Sequence, residues 1–332
     1  MPRQARLDAP GVLHHVMARG IERTKIFRNP KDREDFLSRL EERVHGGGWV
    51  VYAWALMPNH IHLLVRTALQ PLSTNMRKLM TGYVVNFNRR HKRVGHLFQN
   101  RYKSIVCEGE AYLLELTRYI HLNPLRGGVD DLSKLKGYPW SGHSVLMGKA
   151  GGDWQDTESI LSFFSPKLQK ARAEYERFVA EGVPLGRRPD LVGGGLIRSA
   201  GGWSQVLSLR RHGLRMASDE RILGSGEFIE EVLSQAEKRL EETLRLSARK
   251  VELGSLASQV SRSEGTDWDL VRSGSRVGKV VKARRLFCQL AVKKFRYSGA
   301  EVARYLGTTT SSVNRLANSP EMPGSIYQDF AI

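Results

Sequence analysis

The chain has 332 residues, a length that allows two or three domains. Its 52 Lys and Arg face 34 Asp and Glu, and the resulting net charge of +18 favours a polyanionic partner, most often nucleic acid. No run of about 18 apolar residues occurs, so we expect no membrane-spanning segment. The N-terminus does not have the pattern of a signal peptide, and Cys107 and Cys288 provide no disulfide framework. These features predict a cytoplasmic protein with two buried, unreactive thiols.

Seven elements are predicted in the first 124 residues. Period-two patterns indicate strands, and apolar residues spaced three to four apart indicate helices. In chain order they are a strand over 12–20, a helix over 29–44, strands over 49–57 and 60–67 joined by a Pro-Asn turn, a helix over 71–91, a strand over 101–108 and a helix over 110–123. The order β-α-β-β-α-β-α predicts an α+β fold with a ferredoxin-like antiparallel sheet and helices on one face.

The character of the chain changes after residue 148. A Gly-rich stretch at 148–154 suggests a boundary, so we predict one domain over 1–150 and an irregular linking region over 151–227. A long amphipathic helix or helix pair over 228–253 begins an all-α domain that extends to residue 332. Residues 1–150 carry 24 Lys and Arg against 12 Asp and Glu, whereas the rest carries 28 against 22. The main polyanion contact is therefore expected in the first half.

The strand MPNHIHLLV, residues 57–65, carries two histidines separated by one residue. Alternate residues of a strand point to opposite faces, so His60, His62 and Leu64 share one face while Ile61 and its odd-numbered neighbours face the core. Two adjacent imidazoles suit a metal ion, although half-buried histidines without a ligand are about as common.

The helix over 110–123 contains TRYIHLNP, residues 117–124. Tyr119 and Asn123 are four apart and lie on one helical face. Tyr119 alone would be read as an aromatic residue at the edge of the core. Beside a histidine pair, an amide oxygen could complete a metal site and a tyrosine oxygen could attack a phosphodiester.

These segments, together with HLFQNRYKS (96–104) and RYIHLNPLRGG (118–128), resemble the HUH single-strand transposases. The similarity is closest to the REP-associated tyrosine transposase branch of the IS200/IS605-like superfamily and covers roughly residues 8–148. It implies the HUH endonuclease fold, with His60 and His62 as metal ligands and Tyr119 as the nucleophile that forms a 5′-phosphotyrosine link. Asn123 stands where the insertion-sequence branch has Gln and would complete the site. The resemblance implies Mg²⁺ or Mn²⁺ and no ATP. Zinc is possible on ligand grounds, but an oxygen-rich site with water and phosphate favours harder ions.

The segment 87–103 mixes basic with aromatic residues. Its cations could follow phosphates and its aromatic rings could stack on unpaired bases, and we favour this interpretation over a solvated loop with core aromatics. The expected DNA contacts are Arg89, Arg90, Lys92, Arg93, Arg101 and Lys103, with Phe87, Phe98 and Tyr102 for stacking. His14 and His15 point to opposite sides of the first strand and are read as structural, although one could line the DNA groove.

A second motif, YSGAEVARYLGTTTSSVNRLAN, covers residues 297–318 and has the spacing of a helix-turn-helix. Ser298 and Thr308 are the expected caps. The second helix would present Thr309, Thr310, Ser312, Asn314 and Arg315 to a major groove. Residues of about 245–318 are similar to the C-terminal DNA-binding domain of the bacterial replication initiator DnaA. A three-helix bundle without a DNA role is the alternative.

The sequence therefore predicts a metal-dependent DNA transposase or endonuclease that cleaves and rejoins single-stranded or hairpin DNA, with a duplex-DNA reader at its C-terminus. We expect a monomer or homodimer and no membrane partner. The first alternative is a non-catalytic, sequence-specific DNA-binding regulator on a transposase-derived fold. An RNA-binding protein is the second, and a zinc-dependent hydrolase is a distant third.

Overall fold

The protein forms two compact units, residues 1–236 and 237–332, in a computed structural model. The structure describes residues 7, 11–68, 70–129, 131–186, 188–195, 199, 200, 208, 217–248, 252–295 and 297–319. No helix in these ranges is long and apolar enough to cross a membrane.

The first unit is built on a sheet with the strand order β2-β3-β1-β4-β5. Its strands are β1 (Leu13–Arg19), β2 (Trp49–Met57), β3 (His60–Thr67), β4 (Lys103–Cys107) and β5 (Ile222–Leu223). The first four pair antiparallel, as the sequence predicted, and the β2–β3 hairpin is confirmed. β5 pairs parallel with β4 and was not predicted. Because β1 lies between β3 and β4, residues far apart in the chain meet at the centre of the sheet.

Helices cover both faces of the sheet, so the expectation of helices on one face was wrong. The helices of the sheet region are α1 (Pro30–His45), α2 (Leu72–Arg90) and α3 (Gly109–His121). α1 and α2 pack on the face that contains Ile61, Leu63 and Val65. α3 packs on the opposite face, where Leu64 lies. The burial of both sheet faces explains why β2 and β3 are almost continuously apolar, because such strands need few outward polar residues.

The chain continues as ordered structure beyond residue 150. Short helices α4 (Asn123–Arg126), α5 (Leu132–Leu135), α6 (Gly142–Leu146) and α7 (Glu158–Leu161) lead to the longer α8 (Leu168–Glu181). Tyr175 and Val179 of α8 are fully buried in the α3-side core. A 3₁₀ turn follows at Pro189–Val192. The region predicted as an irregular link over 151–227 thus contributes helices to the first unit, while its residues 201–207 and 209–216 lie outside the described ranges.

The second unit is helical over its described residues. Helix α9 (Gly226–Ala248) crosses the division between the units, and the others are α10 (Leu253–Glu264), α11 (Trp268–Arg272), α12 (Gly278–Gln289), a π-helical turn (Leu290–Lys294), α13 (Gly299–Leu306) and α14 (Thr310–Ala317). Val302, Leu306 and Val313 are buried in their common core. α13 and α14 form within the segment that has the helix-turn-helix spacing, and their role as a helix-turn-helix stays a prediction.

The caps of these two helices correct one expectation. Ser298 caps α13 in a reciprocal pair with Glu301, as predicted. Thr309, not Thr308, caps α14 by accepting a hydrogen bond from the Ser312 backbone N–H at 3.2 Å. Thr308 is used differently, because its backbone N–H donates to the Ala303 carbonyl at 2.9 Å and closes α13 beside the left-handed Gly307.

Both cysteines are free and buried, as predicted. Burial raises the pKa of each thiol to about 12, so both remain protonated at neutral pH.

Candidate DNA-processing site

His60, His62, Tyr119 and Asn123 line one cavity of about 970 Å³. The two imidazole centroids are 5.2 Å apart, and the Tyr119 ring lies 5.8 Å from that of His62. These side chains meet because alternate residues of a strand face opposite sides of the sheet. The even-numbered residues of β3 face α3, and Tyr119 is at the edge of the α3 stripe that packs against that face. The structure therefore brings together the four residues that the sequence singled out.

The histidines of the site are neutral at pH 7. Burial lowers the pKa of His60 to about 4, with a further contribution from the nearby positive charge of Arg19. Burial also lowers the pKa of His62 well below its usual value, as do neighbouring His15, His60 and Arg19. A neutral imidazole keeps one nitrogen lone pair, which is the form that ligates a metal.

Asn123 is held at the junction of α3 and α4. Its side-chain Nδ2 donates to the Tyr119 carbonyl at 2.9 Å. Because the nitrogen faces the helix, the amide oxygen is the atom that could serve as a ligand. Among the described residues, no group of three or more His, Cys, Asp or Glu could hold a metal ion. The two imidazoles and this amide are the predicted metal-ligand side chains, and all three line the cavity.

The phenol of Tyr119 is half-buried, and this burial raises its pKa. The positive charge of Arg126 and a hydrogen bond to the Asn123 amide lower the pKa again. The Arg126 guanidinium lies over the Tyr119 ring at 5.4 Å from its centroid. A cation in this position favours the phenolate, the reactive form of a tyrosine nucleophile.

The cavity is strongly cationic. None of the described residues that line it is acidic, and six are basic: Arg19, Arg23, Arg101, Lys103, Arg126 and Arg188. Arg188 is paired with Asp190 and Glu115, and the Lys103 Nζ donates to the Val192 carbonyl at 2.8 Å. A cleft with this charge attracts anions such as phosphate groups.

The basic segment 87–103 divides in space. Arg101 and Lys103 line the cavity, whereas Arg89, Arg90, Lys92 and Arg93 cluster at the end of α2. In that cluster Arg90 and His91 bind the buried Asp32, and Arg93 donates to the Asn88 side chain at 3.1 Å. Arg89 and Lys92 are exposed. Their contact with DNA stays a prediction.

The expected base stacking by aromatic residues of this segment was wrong. Phe87 and Phe98 are buried in the core on the α1–α2 side, and Tyr102 joins them with 6% of its surface exposed. Rings that are packed into a core cannot stack on an unpaired base. The alternation of cations and aromatics in the sequence reflects a buried stripe flanked by solvated charges.

Sequence reasoning missed two residues at the site. Arg126 follows Tyr119 by seven positions, which places it on the same helical face, and this spacing could have identified it. His15 lies on β1, fully buried, and its ring is 5.9 Å from that of Tyr119. The sequence indicates that His14 and His15 point to opposite faces of β1. It does not indicate that β1 lies next to β3, which only the tertiary structure shows.

One family of known proteins matches part of this chain. Residues 10–123 match the family described as "Transposase IS200 like", a segment that contains β1 to α3 and all four predicted site residues. Over these residues the first unit is similar to the IS200-like transposases.

The chain is also similar to a solved structure described as "Structure of the REP associates tyrosine transposase bound to a REP hairpin". That comparison has 15% sequence identity and a TM-score of 0.37, and it covers 48% of this chain and 96% of the other. No curated protein matches the chain.

Proposed function

We propose that this protein is a DNA transposase of the single-strand type, which cleaves and rejoins single-stranded or hairpin DNA through Tyr119. The convergence of Tyr119 with a histidine pair in a cationic cavity without acidic lining is the observation that supports this function. The Tyr119 oxygen would attack phosphorus and form a phosphotyrosine link. The bond from phosphorus to the 3′ oxygen would break, the phenol proton would pass to solvent, and the 3′ oxygen would take up a proton.

A phosphotyrosine link conserves the energy of the broken phosphodiester. Reversal of the same step by a 3′-hydroxyl rejoins the strand, so no ATP is required. Arg126 would stabilise the phenolate, and the other cavity cations would hold the phosphates on either side of the cleaved bond.

His60, His62 and the Asn123 oxygen fit a divalent ion, because both rings are kept neutral and face the cavity from one strand. A bound Mg²⁺ or Mn²⁺ would polarise the scissile phosphate and offset its charge. No carboxylate lines the described cavity, so water and phosphate oxygens would complete the coordination, which hard ions prefer.

The second unit would bind duplex DNA through α14. Asn314 and Arg315 are exposed on this helix, as a recognition helix requires. Thr309 and Ser312 are joined by the cap of α14, so their contribution would come from the start of the helix.

The test is covalent capture of a hairpin oligonucleotide labelled at its 3′ end, because the linked fragment keeps its 5′ phosphate on the protein. We expect the wild type to give a labelled adduct on a denaturing gel with Mg²⁺ or Mn²⁺, and none with a chelator. Tyr119→Phe should abolish the adduct and retain hairpin binding. Tyr112→Phe is the matched control, because Tyr112 lies on the same helix outside the cavity.

Other outcomes separate the alternatives. An adduct in Tyr119→Phe would exclude Tyr119 as the nucleophile. Hairpin binding without cleavage by the wild type would favour the non-catalytic regulator. Preference for a matched RNA hairpin in competition would favour the RNA-binding protein.

A further inference from the structure

His15 contacts His62 edge to edge within a buried pair. The ring centroids are 5.2 Å apart, and the angle between the ring planes is 27°. The Nε2 of His15 and the Nδ1 of His62 are 2.9 Å apart, a hydrogen-bond distance. His15 is fully buried and does not line the cavity, so its role must be exerted through His62.

The Leu191 carbonyl group determines which ring nitrogens of His15 and His62 carry protons. The Nδ1 of His15 is 3.1 Å from the Leu191 carbonyl oxygen, which can only accept, so this nitrogen carries the proton of the neutral ring. The Nε2 of His15 is then an acceptor, and the Nδ1 of His62 must donate to it. The Nε2 of His62 is left with its lone pair.

The same logic applies to His60 through a different partner. The Nδ1 of His60 is 2.7 Å from the Asn59 amide oxygen. The orientation of that amide is set by its nitrogen, which donates to the Arg23 carbonyl at 3.2 Å. Therefore the Nδ1 of His60 is the donor, and its Nε2 also keeps a lone pair. Two independent networks thus impose one tautomer on both rings of the histidine pair.

We propose that His15 is a positioning residue that, together with the Leu191 carbonyl, holds His62 in the tautomer whose Nε2 can ligate a divalent ion. The inference rests on the proposed function, because it assigns a purpose to the tautomer at that metal site. Hydrogen bonds from the non-ligating nitrogen commonly fix the ring orientation and raise the basicity of a histidine ligand.

The segment Pro189–Val192 carries the carbonyl that starts this network. It is fastened by the Lys103 Nζ, which donates to Val192, and by the ion pair of Arg188 with Glu115. The segment lies outside residues 10–123, which match the family model. In this chain, residues after the matched segment complete the hydrogen bonding of the site.

The experiment reads the tautomer directly in the metal-free, DNA-free full-length protein. Long-range ¹H–¹⁵N correlation spectra at neutral pH distinguish a protonated from an unprotonated ring nitrogen. In the wild type we expect a protonated Nδ1 and an unprotonated Nε2 on His62. In His15→Phe, which preserves ring volume without a hydrogen-bonding atom, the His62 proton should move to Nε2 in a substantial fraction of molecules.

Two further variants separate this role from a structural one. His15→Gln keeps an amide that can donate to Leu191 and accept from His62, so it should retain the wild-type pattern. His143→Phe removes another buried imidazole that does not line the cavity, and His62 should be unchanged. In a Tyr119→Phe background with hairpin DNA, His15→Phe should weaken Mn²⁺ binding about 10- to 100-fold, and His15→Gln much less.

The proposal is overturned if wild-type His62 carries its proton on Nε2, a result that needs no variant to fold. It is also overturned if His62 keeps its tautomer in a folded His15→Phe protein. Because the spectra require neither DNA nor metal, they are independent of the adduct assay. A wrong tautomer with a normal adduct rejects only this inference, and the expected tautomer without an adduct rejects only the proposed function.

Discussion

The guanidinium of Arg126 lies over the ring of Tyr119, 5.4 Å from its centroid. The two residues are held in this relation by the change from α3 to α4, where Asn123 begins a short helix with Pro124 in its first turn. Burial raises the pKa of Tyr119, and Arg126 is the charge that opposes this effect. We therefore expect Arg126 to increase the fraction of Tyr119 that is phenolate.

Arg126→Ala should move the rising limb of the cleavage–pH profile to higher pH by about one unit, because removal of a nearby opposite charge raises a phenol pKa. At pH 8 the single-turnover rate should fall about tenfold. Arg126→Lys should recover part of the shift, since it restores the charge without the planar group. A profile that keeps its position while the rate falls at all pH values would assign Arg126 to phosphate binding instead.

Divalent-ion binding should depend on DNA. Two neutral imidazoles and an amide oxygen are weak ligands for Mg²⁺ or Mn²⁺, and the surrounding cations repel a second positive charge. In Tyr119→Phe, which cannot cleave, Mn²⁺ affinity measured by electron paramagnetic resonance should rise at least tenfold when the hairpin oligonucleotide is added. His60→Ala combined with Tyr119→Phe should abolish the increase. Equal Mn²⁺ affinity with and without DNA would contradict this coupling.

The stability of the first unit should fall as the pH drops from 6.5 towards 4. His143 is buried beside His121 and Tyr175, with Glu176 and Lys136 as the nearby charges, and burial lowers its pKa to about 4. The unfolded chain gains a proton below pH 6.5 while the folded chain does not. The free energy of unfolding therefore decreases by about 1.4 kcal/mol per pH unit for this group, or about 3 kcal/mol over the full window.

Urea unfolding of the wild type and His143→Phe, followed by tryptophan fluorescence, checks this contribution. The Trp54 and Trp154 rings of the first unit, 5.7 Å apart, report the transition. Between pH 7.5 and pH 5 the variant should lose about 2 kcal/mol less than the wild type. Identical losses in both proteins would show that His143 does not carry this pH dependence.

Arg315→Ala and Asn314→Ala should weaken duplex binding about 10- to 100-fold each without reducing hairpin cleavage by the first unit. Arg304→Ala is the matched control for loss of charge, because Arg304 is exposed on α13. Fluorescence anisotropy with labelled duplex and hairpin DNA at one fixed salt concentration compares the variants. An equal effect of Arg304→Ala and Arg315→Ala would point to general charge attraction rather than to reading by α14.

Local patterns predicted most of the secondary structure of the first unit. The two faces of β3 could be separated because strand parity depends only on the chain itself. For the same reason the Tyr119–Asn123 pair was found at helical spacing. The covering of both sheet faces was not found, since the order of helices and strands along the chain does not state on which face of the sheet each helix packs.

The aromatic residues of segment 87–103 show a different limit. Phe87, Phe98 and Tyr102 have the composition of a nucleic-acid platform, but they pack against Tyr83 and its neighbours in the core. A one-dimensional pattern does not state which side of a segment meets the rest of the protein. Burial decides between stacking on a base and packing in a core, and burial is a property of the whole fold.

The sequence alone determined the residue types, the parity of His60 and His62, and the helical face shared by Tyr119 and Asn123, because each depends on neighbours within a few positions. Only the tertiary structure decided that β1 lies beside β3, so that His15 reaches His62, and that Leu191, from 176 residues further along the chain, supplies the carbonyl that orients them. Hydrogen bonds between distant segments fix the proton positions in a buried pair, and no local pattern encodes which segments will meet.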